Sequence, residues 1–391
     1  MTAHAHEEGR PLRILLLGPI NSRHMEHLAL ALARRSHDVH VVGEFAPHLP
    51  RTDLRPEGVV TTALDPRPSV IPGLKVARRV WKLRRIIREF EPDVVHAHFV
   101  WSWGFFALAA GARPLVVSAW GSDILAGDRR ARLLNRIVVR RAALILAECK
   151  DLQRRVQALG AAPRRTAIVN WGVELTRFTP STEDRATTRA RLGLGPAPMV
   201  LSPRELDPLY NPAVILEAFG HVLSAVPDAQ LVFKHQRSDH PDLGPLPDPD
   251  RVRFVGGGGY EQMADYYRAA DVCVSIPSTD SSPRSVWEAM ACGCPCVVSD
   301  LPWVEDLIVA GRHALVVPIE ARAVADAIVR VLLDTSHASE MSAAARALCE
   351  QYRDHDAEMD RLVELYRGLR PRHGGRGRAA RVAAALSETD G

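Results

Sequence analysis

Ser278-Thr279-Asp280-Ser281-Ser282-Pro283-Arg284-Ser285-Val286-Trp287-Glu288-Ala289-Met290-Ala291-Cys292-Gly293 lies between two short apolar runs, 272–276 and 295–299. The order is strand, polar loop, apolar helix, strand, which is the repeating unit of a parallel sheet covered on both faces. Asp280 and Glu288 stand eight positions apart, with small hydroxyl residues and a proline between them. Asp280 falls in the turn, and Glu288 about one turn inside the helix. The loop therefore ends on a helix N-terminus, where unpaired N–H groups and the helix dipole favour an anion. A carboxylate on each side of a phosphate-sized site suits a ligand with hydroxyls at both ends and phosphate between.

The same alternation runs outward in both directions. Toward the N-terminus, apolar strands are expected at 13–17, 39–42, 93–98, 115–118, 143–147 and 166–169, with helices near 24–35 and 73–90. A stretch rich in proline and charge, 179–198, interrupts the series and reads as a linker. Beyond it come strands at 199–202, 230–234, 252–255, 272–276 and 295–299, and helices at 212–225, 261–269, 286–291 and 321–333. The pattern predicts two doubly wound α/β domains, 1–178 and 199–369, facing across a cleft that receives the carboxyl ends of both strand sets. The last helix is expected to pack back on the first domain, and 370–391 to form a basic tail.

Composition excludes several classes. The chain has 391 residues, 47% hydrophobic and 25% charged, enough for two substantial cores. No apolar run reaches bilayer length, and the opening MTAHAHEEGRP lacks the apolar core of a secretory signal, so a cytoplasmic protein is expected. A net charge of +4 is too small to imply nucleic acid. Cys292, Cys294 and Cys296 alternate, but no histidine or fourth cysteine nearby completes a zinc set, so they read as small core residues. A single glycine, Gly18, follows the first strand; G-x-G-x-x-G is absent, which argues against a dehydrogenase.

Six segments in this order resemble the retaining GT-B glycosyltransferases of glycosyltransferase family 4, also called group 1. They are PDVVHAH ending at His98, AWGSDI at 119–124, IVNWGVELTRF at 168–178, then 204–219, 252–256 and 280–293. The last is similar to the family's E-x7-E signature with Asp280 in place of the first glutamate. The resemblance covers nearly everything from Leu12 to about Leu369 and implies the GT-B fold, two Rossmann-like domains.

What the resemblance implies for the site is specific. Asp280, with Ser281, Ser282 and Pro283, would meet the donor sugar, and Glu288 the nucleotide ribose. The amides of Arg284 and Ser285 would receive the diphosphate. Arg204 would stabilise the leaving phosphate, where charge grows in the transition state. Gly18 would belong to the glycine loop, and Phe254 to the donor side. The family carries a lysine six residues after that arginine; here Tyr210 stands there. A phenol supplies no Coulomb term, so Lys234 or Arg237 is expected to restore the charge. Trp120 replaces a common histidine, keeping a stacking platform while losing an acid–base group. Asn21, His24, His98, Trp120 and Asp123 are the expected acceptor side. Of His96 and His98, one is expected to point inward and the other to border the acceptor. No cofactor or metal is expected.

The implied reaction is retaining transfer of a hexose-type sugar from a nucleoside diphosphate sugar, UDP before GDP, to an acceptor hydroxyl. The acceptor stays open between a natural product such as an aminocyclitol antibiotic and a cell-envelope glycolipid or polysaccharide. A sugar-nucleotide epimerase or a non-catalytic sugar-nucleotide-binding protein is the alternative of another class. Two Arg-rich regions, 75–88 around Trp81 and 129–141, are either solvated faces or contacts for an anionic membrane. Val76, Val80, Leu83 and Ile87 recur at helical spacing and are expected to pack on the sheet.

Overall fold

The computed structural model describes residues 10–45, 58–64, 72–125, 129–235, 243–257 and 259–370. It divides into two compact units, one holding the chain to Asn170 and from Glu358 onward, the other Trp171–Ala357.

In the first unit seven parallel strands form one sheet. They are β1 (Arg13–Pro19), β2 (Asp38–Glu44), β3 (Val59–Ala63), β4 (Val94–His98), β5 (Leu115–Ser118), β6 (Leu144–Ala147) and β7 (Thr166–Ile168), in the order β3-β2-β1-β4-β5-β6-β7. The order reverses between β1 and β4, and at such a switch point the loops part and leave a crevice at the carboxyl ends of the strands. Gly18 and His98 stand there. A Cβ on Gly18 would meet the flexible end of Met25 and come within 3.3 Å of the His98 Cβ, so the packing at this position is tight.

The second unit repeats the plan with β8 (Met199–Ser202), β9 (Gln230–Lys234), β10 (Val252–Val255), β11 (Val272–Ser275), β12 (Cys296–Ser299) and β13 (Leu315–Val317), ordered β10-β9-β8-β11-β12-β13. Its switch point lies between β8 and β11, and the chain leaves those strands toward Arg204 and Asp280. The helices Pro212–Ala225 and Ala321–Leu333 bury Ile215, Phe219, Val222, Val324 and Ile328 against the sheet. The six cysteines are buried free thiols, with Cys273 and Cys296 in register on β11 and β12.

Two expectations are corrected here. The stretch read as a linker contains the helix Thr182–Leu192, capped by the Ser181 hydroxyl on Asp184 N at 3.2 Å and ended by Gly193 at φ 63°. Its charge has a folded use. Arg185 Nη1 donates to the carbonyls of Arg268, Ala269 and Ala270 at 2.8, 3.0 and 2.9 Å, and Nη2 to Asp271 at 2.7 Å. These are the carbonyls left unpaired at the end of the helix Met263–Ala269. The second correction concerns the helix Pro72–Phe90, where Leu83 is buried but Val76 is exposed. Val76 shares Leu83's face, but it lies near the N-terminal end of the helix, where the sheet does not cover it.

The edge strand β3 and the short β13 carry no strong sequence signal. The helices Thr335–Tyr352 and His355–Leu369 follow, the last among the described residues. From Glu358 onward the last helix belongs to the first unit, where Met359, Leu362 and Tyr366 are buried.

Candidate active site

At the switch point of the second unit, two arginine–carboxylate pairs flank the first turn of the helix Arg284–Ala291. Arg204 leaves β8 and reaches Asp280 Oδ2 with Nη2 at 2.7 Å and Ser285 Oγ with Nη1 at 3.2 Å. Its guanidinium lies 4.3 Å from the centre of the Tyr210 ring. Tyr210 therefore supports the cation by stacking, as an aromatic face does, and adds no charge of its own. Asp280 also accepts Ser281 N at 2.9 Å, and Ser282 Oγ accepts Trp287 Nε1 at 3.0 Å. The loop is thus tied to the helix it precedes. Pro283 opens that helix; its carbonyl accepts Val286 N at 3.0 Å, while the amides of Arg284 and Ser285 meet no backbone acceptor among the described residues. That is what helix geometry demands of a first turn.

Glu288 is the second carboxylate, and it is 3% exposed. Arg284 Nε lies 3.0 Å from its Oε1. Tyr260 donates to the same oxygen at 2.5 Å, and Tyr267 to Oε2 at 3.3 Å. Burial raises the Glu288 pKa, against the pull of Arg284 and the two phenols. The expected contact with a ribose is therefore preceded by a set of internal partners. Tyr260, in the short turn Tyr260–Gln262, and Tyr267, in the helix Met263–Ala269, had no sequence signal as partners of Glu288.

Other expected donor residues lie elsewhere. Lys234 ends β9 with its ammonium buried, donating to the carbonyls of His235, at 3.1 Å, and Gly257. The ammonium thus ties the end of β9 to the segment that follows β10. Phe254 stacks on Phe233 at 5.3 Å within the core of β9 and β10. Arg237 lies outside the described residues.

At the switch point of the first unit the material is aromatic. Trp120 lies 4.9 Å from the His24 ring, 5.5 Å from His98 and 5.9 Å from Phe99. Asp123 is buried and turned to the backbone, accepting Val100 N at 2.6 Å and Trp120 N at 3.0 Å. It positions Trp120 rather than facing an acceptor. Burial raises its pKa to about 6, against those amide bonds. Asn21 is buried beside the same loop, and Phe99 holds φ at 71°, a strained region for an aromatic residue.

His96 and His98 lie on one face of β4, His96 tied to core groups and His98 beside Trp120. Residues two apart on a strand share a face, and their rings stack at 4.7 Å, both buried. His96 bridges Tyr366 Oη at 2.6 Å and Ser118 Oγ at 2.8 Å. Burial lowers the His96 pKa to about 3, and that of His98 well below the usual value.

On the helix Pro72–Phe90, Trp81 is 62% exposed. Beside it Arg79 pairs with Glu44, Arg85 with Glu89, and Lys82 donates to Ala63 O, so part of the basic face is already engaged. Among the described residues no helix is long and apolar enough to cross a membrane.

Comparison with known proteins agrees with this architecture. A family model described as Glycosyltransferase Family 4 matches residues 22–177, and one described as Glycosyl transferases group 1 matches 184–348. A D-inositol 3-phosphate glycosyltransferase of Geodermatophilus obscurus is 29% identical over 301 residues, covering 70% of this chain and 66% of that protein. The aligned stretches span about half to two thirds of the curated relatives' length. Among solved structures, the sucrose-phosphate synthase of Thermosynechococcus elongatus superposes with a TM-score of 0.77 at 20% identity, covering 91% of this chain and 98% of that one. HepE of Anabaena, solved with UDP and glucose, gives 0.76 at 19%, covering 90% and 99%. The two parallel sheets with their switch points are the GT-B fold, and the chain belongs to the family 4, group 1 glycosyltransferases.

Proposed function

We propose that this protein transfers a hexose-type sugar from a nucleoside diphosphate sugar, UDP before GDP, to a hydroxyl of a cyclitol-type acceptor, with the anomeric configuration retained. The observation that carries the reading is Arg204, held by Asp280 and Ser285 at the start of a helix. A fixed cation beside unpaired amides is what a departing diphosphate needs. Membership of the family supports transfer, and the likeness to D-inositol 3-phosphate glycosyltransferases supports a cyclitol ring. An aminocyclitol natural product and an inositol-bearing envelope lipid both contain that ring.

The step is a front-side displacement. The bond from the anomeric carbon to the phosphate oxygen breaks, and the acceptor oxygen bonds to that carbon on the same face. The acceptor's proton passes to the departing phosphate oxygen. Arg204 and the helix amides balance the charge left on the diphosphate. Asp280 is engaged by Arg204 and by Ser281 N, which suits hydroxyl binding better than covalent attack. Trp120 offers a ring face for the acceptor, positioned through its amide by Asp123.

The test is acceptor-dependent release of UDP or GDP from their hexose conjugates, with inositol, inositol phosphate and an aminocyclitol as acceptors, and the product's anomeric configuration read by NMR. Release only with acceptor, and a retained configuration, is the expected result. Release of nucleotide without acceptor indicates the epimerase-type alternative. Binding without turnover for every pair indicates a sugar-nucleotide-binding protein.

A further inference from the structure

We propose that Arg284 is the second cation of the donor site. It holds Glu288 before the donor binds and moves to the donor's diphosphate when the ribose hydroxyls take over the carboxylate. The inference rests on the donor reading above.

Of the residues near that position, Tyr210 and Lys234 are engaged with other groups, and Arg237 lies outside the described residues. Tyr210 stacks under Arg204. Lys234 is committed to two backbone carbonyls. Arg284 is instead the first residue of the helix Arg284–Ala291, adjacent to Ser285, whose hydroxyl meets Arg204. The two arginines therefore flank the same helical turn, the one whose amides are open to an anion.

The Arg284 pairing has the features of a temporary one. Its Nε sits 3.0 Å from Glu288 Oε1, with the side chains 15% and 4% exposed. The guanidinium carbon lies 5.2 Å from the Tyr260 ring centre. The buried Nη2 finds no hydrogen-bond acceptor among the described residues. A buried guanidinium with an unmet N–H is costly, and phosphate oxygens match its fork better than one carboxylate oxygen does. Glu288 keeps Tyr260 and Tyr267 when Arg284 leaves, and two ribose hydroxyls replace the departed donor. The exchange leaves both charges partnered throughout. It also links the two halves of the nucleotide: the diphosphate gains its cation only when the ribose has displaced it.

The experiment is calorimetric titration of wild type, Arg284→Met and Arg284→Lys with UDP and with uridine, then with GDP and guanosine. The ratio of diphosphate to nucleoside affinity is the readout. Arg284→Met is expected to lower that ratio about tenfold to hundredfold, the worth of a charge-assisted contact, with nucleoside binding unchanged or tighter. Arg284→Lys, which keeps a counterion for Glu288 and so protects folding, is expected to fall between. A ratio unchanged in both variants overturns the proposal, because a purely structural arginine weakens nucleoside and diphosphate together. Wild type that binds neither UDP nor GDP overturns the donor reading itself, and this inference with it.

Discussion

At the ends of β8 and β11, the crevice lining is built from charge: Arg204 on Asp280 at 2.7 Å and Arg284 on Glu288 at 3.0 Å. At the ends of β1 and β4 it is built from rings, His24, His98, Phe99 and Trp120, and the nearby carboxylate Asp123 is turned to backbone amides. Both places are switch points of similar parallel sheets. The fold supplies a crevice in each case, and the side chains decide what enters it. Fixed ion pairs suit a diphosphate whose charge grows during reaction. Flat, weakly polar faces suit a sugar or cyclitol ring, which offers C–H groups to stack and hydroxyls at its rim.

The largest test of this division is Arg204→Ala. Removing a cation from the leaving group is expected to lower kcat about 10²- to 10³-fold, with the acceptor KM little changed, measured by acceptor-dependent UDP release. An unchanged kcat would mean that charge does not develop where the ion pairs stand. Next is Trp120→Ala, expected to raise the acceptor KM about tenfold through lost stacking and buried area while the donor KM holds. If both constants rise together, the two regions do not divide the substrates between them.

The smallest effect is on pH-dependent stability, and it belongs to the aromatic region. Burial lowers the His96 pKa from 6.5 to about 3. The unfolded chain therefore takes up a proton near pH 6.5 that the folded chain refuses. The stability contributed by neutral His96 is present above that pH and is lost as pH falls toward 3. His98 acts in the same sense. Asp123, raised to about 6, acts oppositely: the folded state binds its proton first, so its contribution grows as pH falls through 6. His96 and His98 together outweigh Asp123, so this region loses stability as pH falls from 7 toward 5. His96→Gln is expected to shrink that loss, read from denaturant melts at the two pH values. An acid limb of unchanged depth would show that His96 does not stay neutral in the fold.

Much of this was legible in the chain. Strands such as Leu115–Ser118 and Met199–Ser202 fall where their apolar runs lie, because a strand buried on both faces has few polar positions to blur it. Charged segments were read less well. Residues 179–198 looked like a linker because charge usually marks solvent, yet Arg185 and Arg189 hold the carbonyls and the carboxylate around Asp271. The Ser181 cap and Gly193 were the available helix signals.

The sequence by itself determined the alternating α/β pattern, the family, and which residue types lie near each switch point. These follow from short-range periodicity and from spacing along one segment. Only the tertiary structure decided what those residues touch. Tyr260 and Glu288 are 28 positions apart, and Arg204 and Asp280 are 76 apart. No local pattern reports such pairs, since parallel strands bring distant segments together at their ends. That is why Lys234, a cation at the expected place in the chain, became a backbone tie to Gly257, whereas the Arg284–Glu288 pair, at i, i+4 spacing, is one the helix itself places.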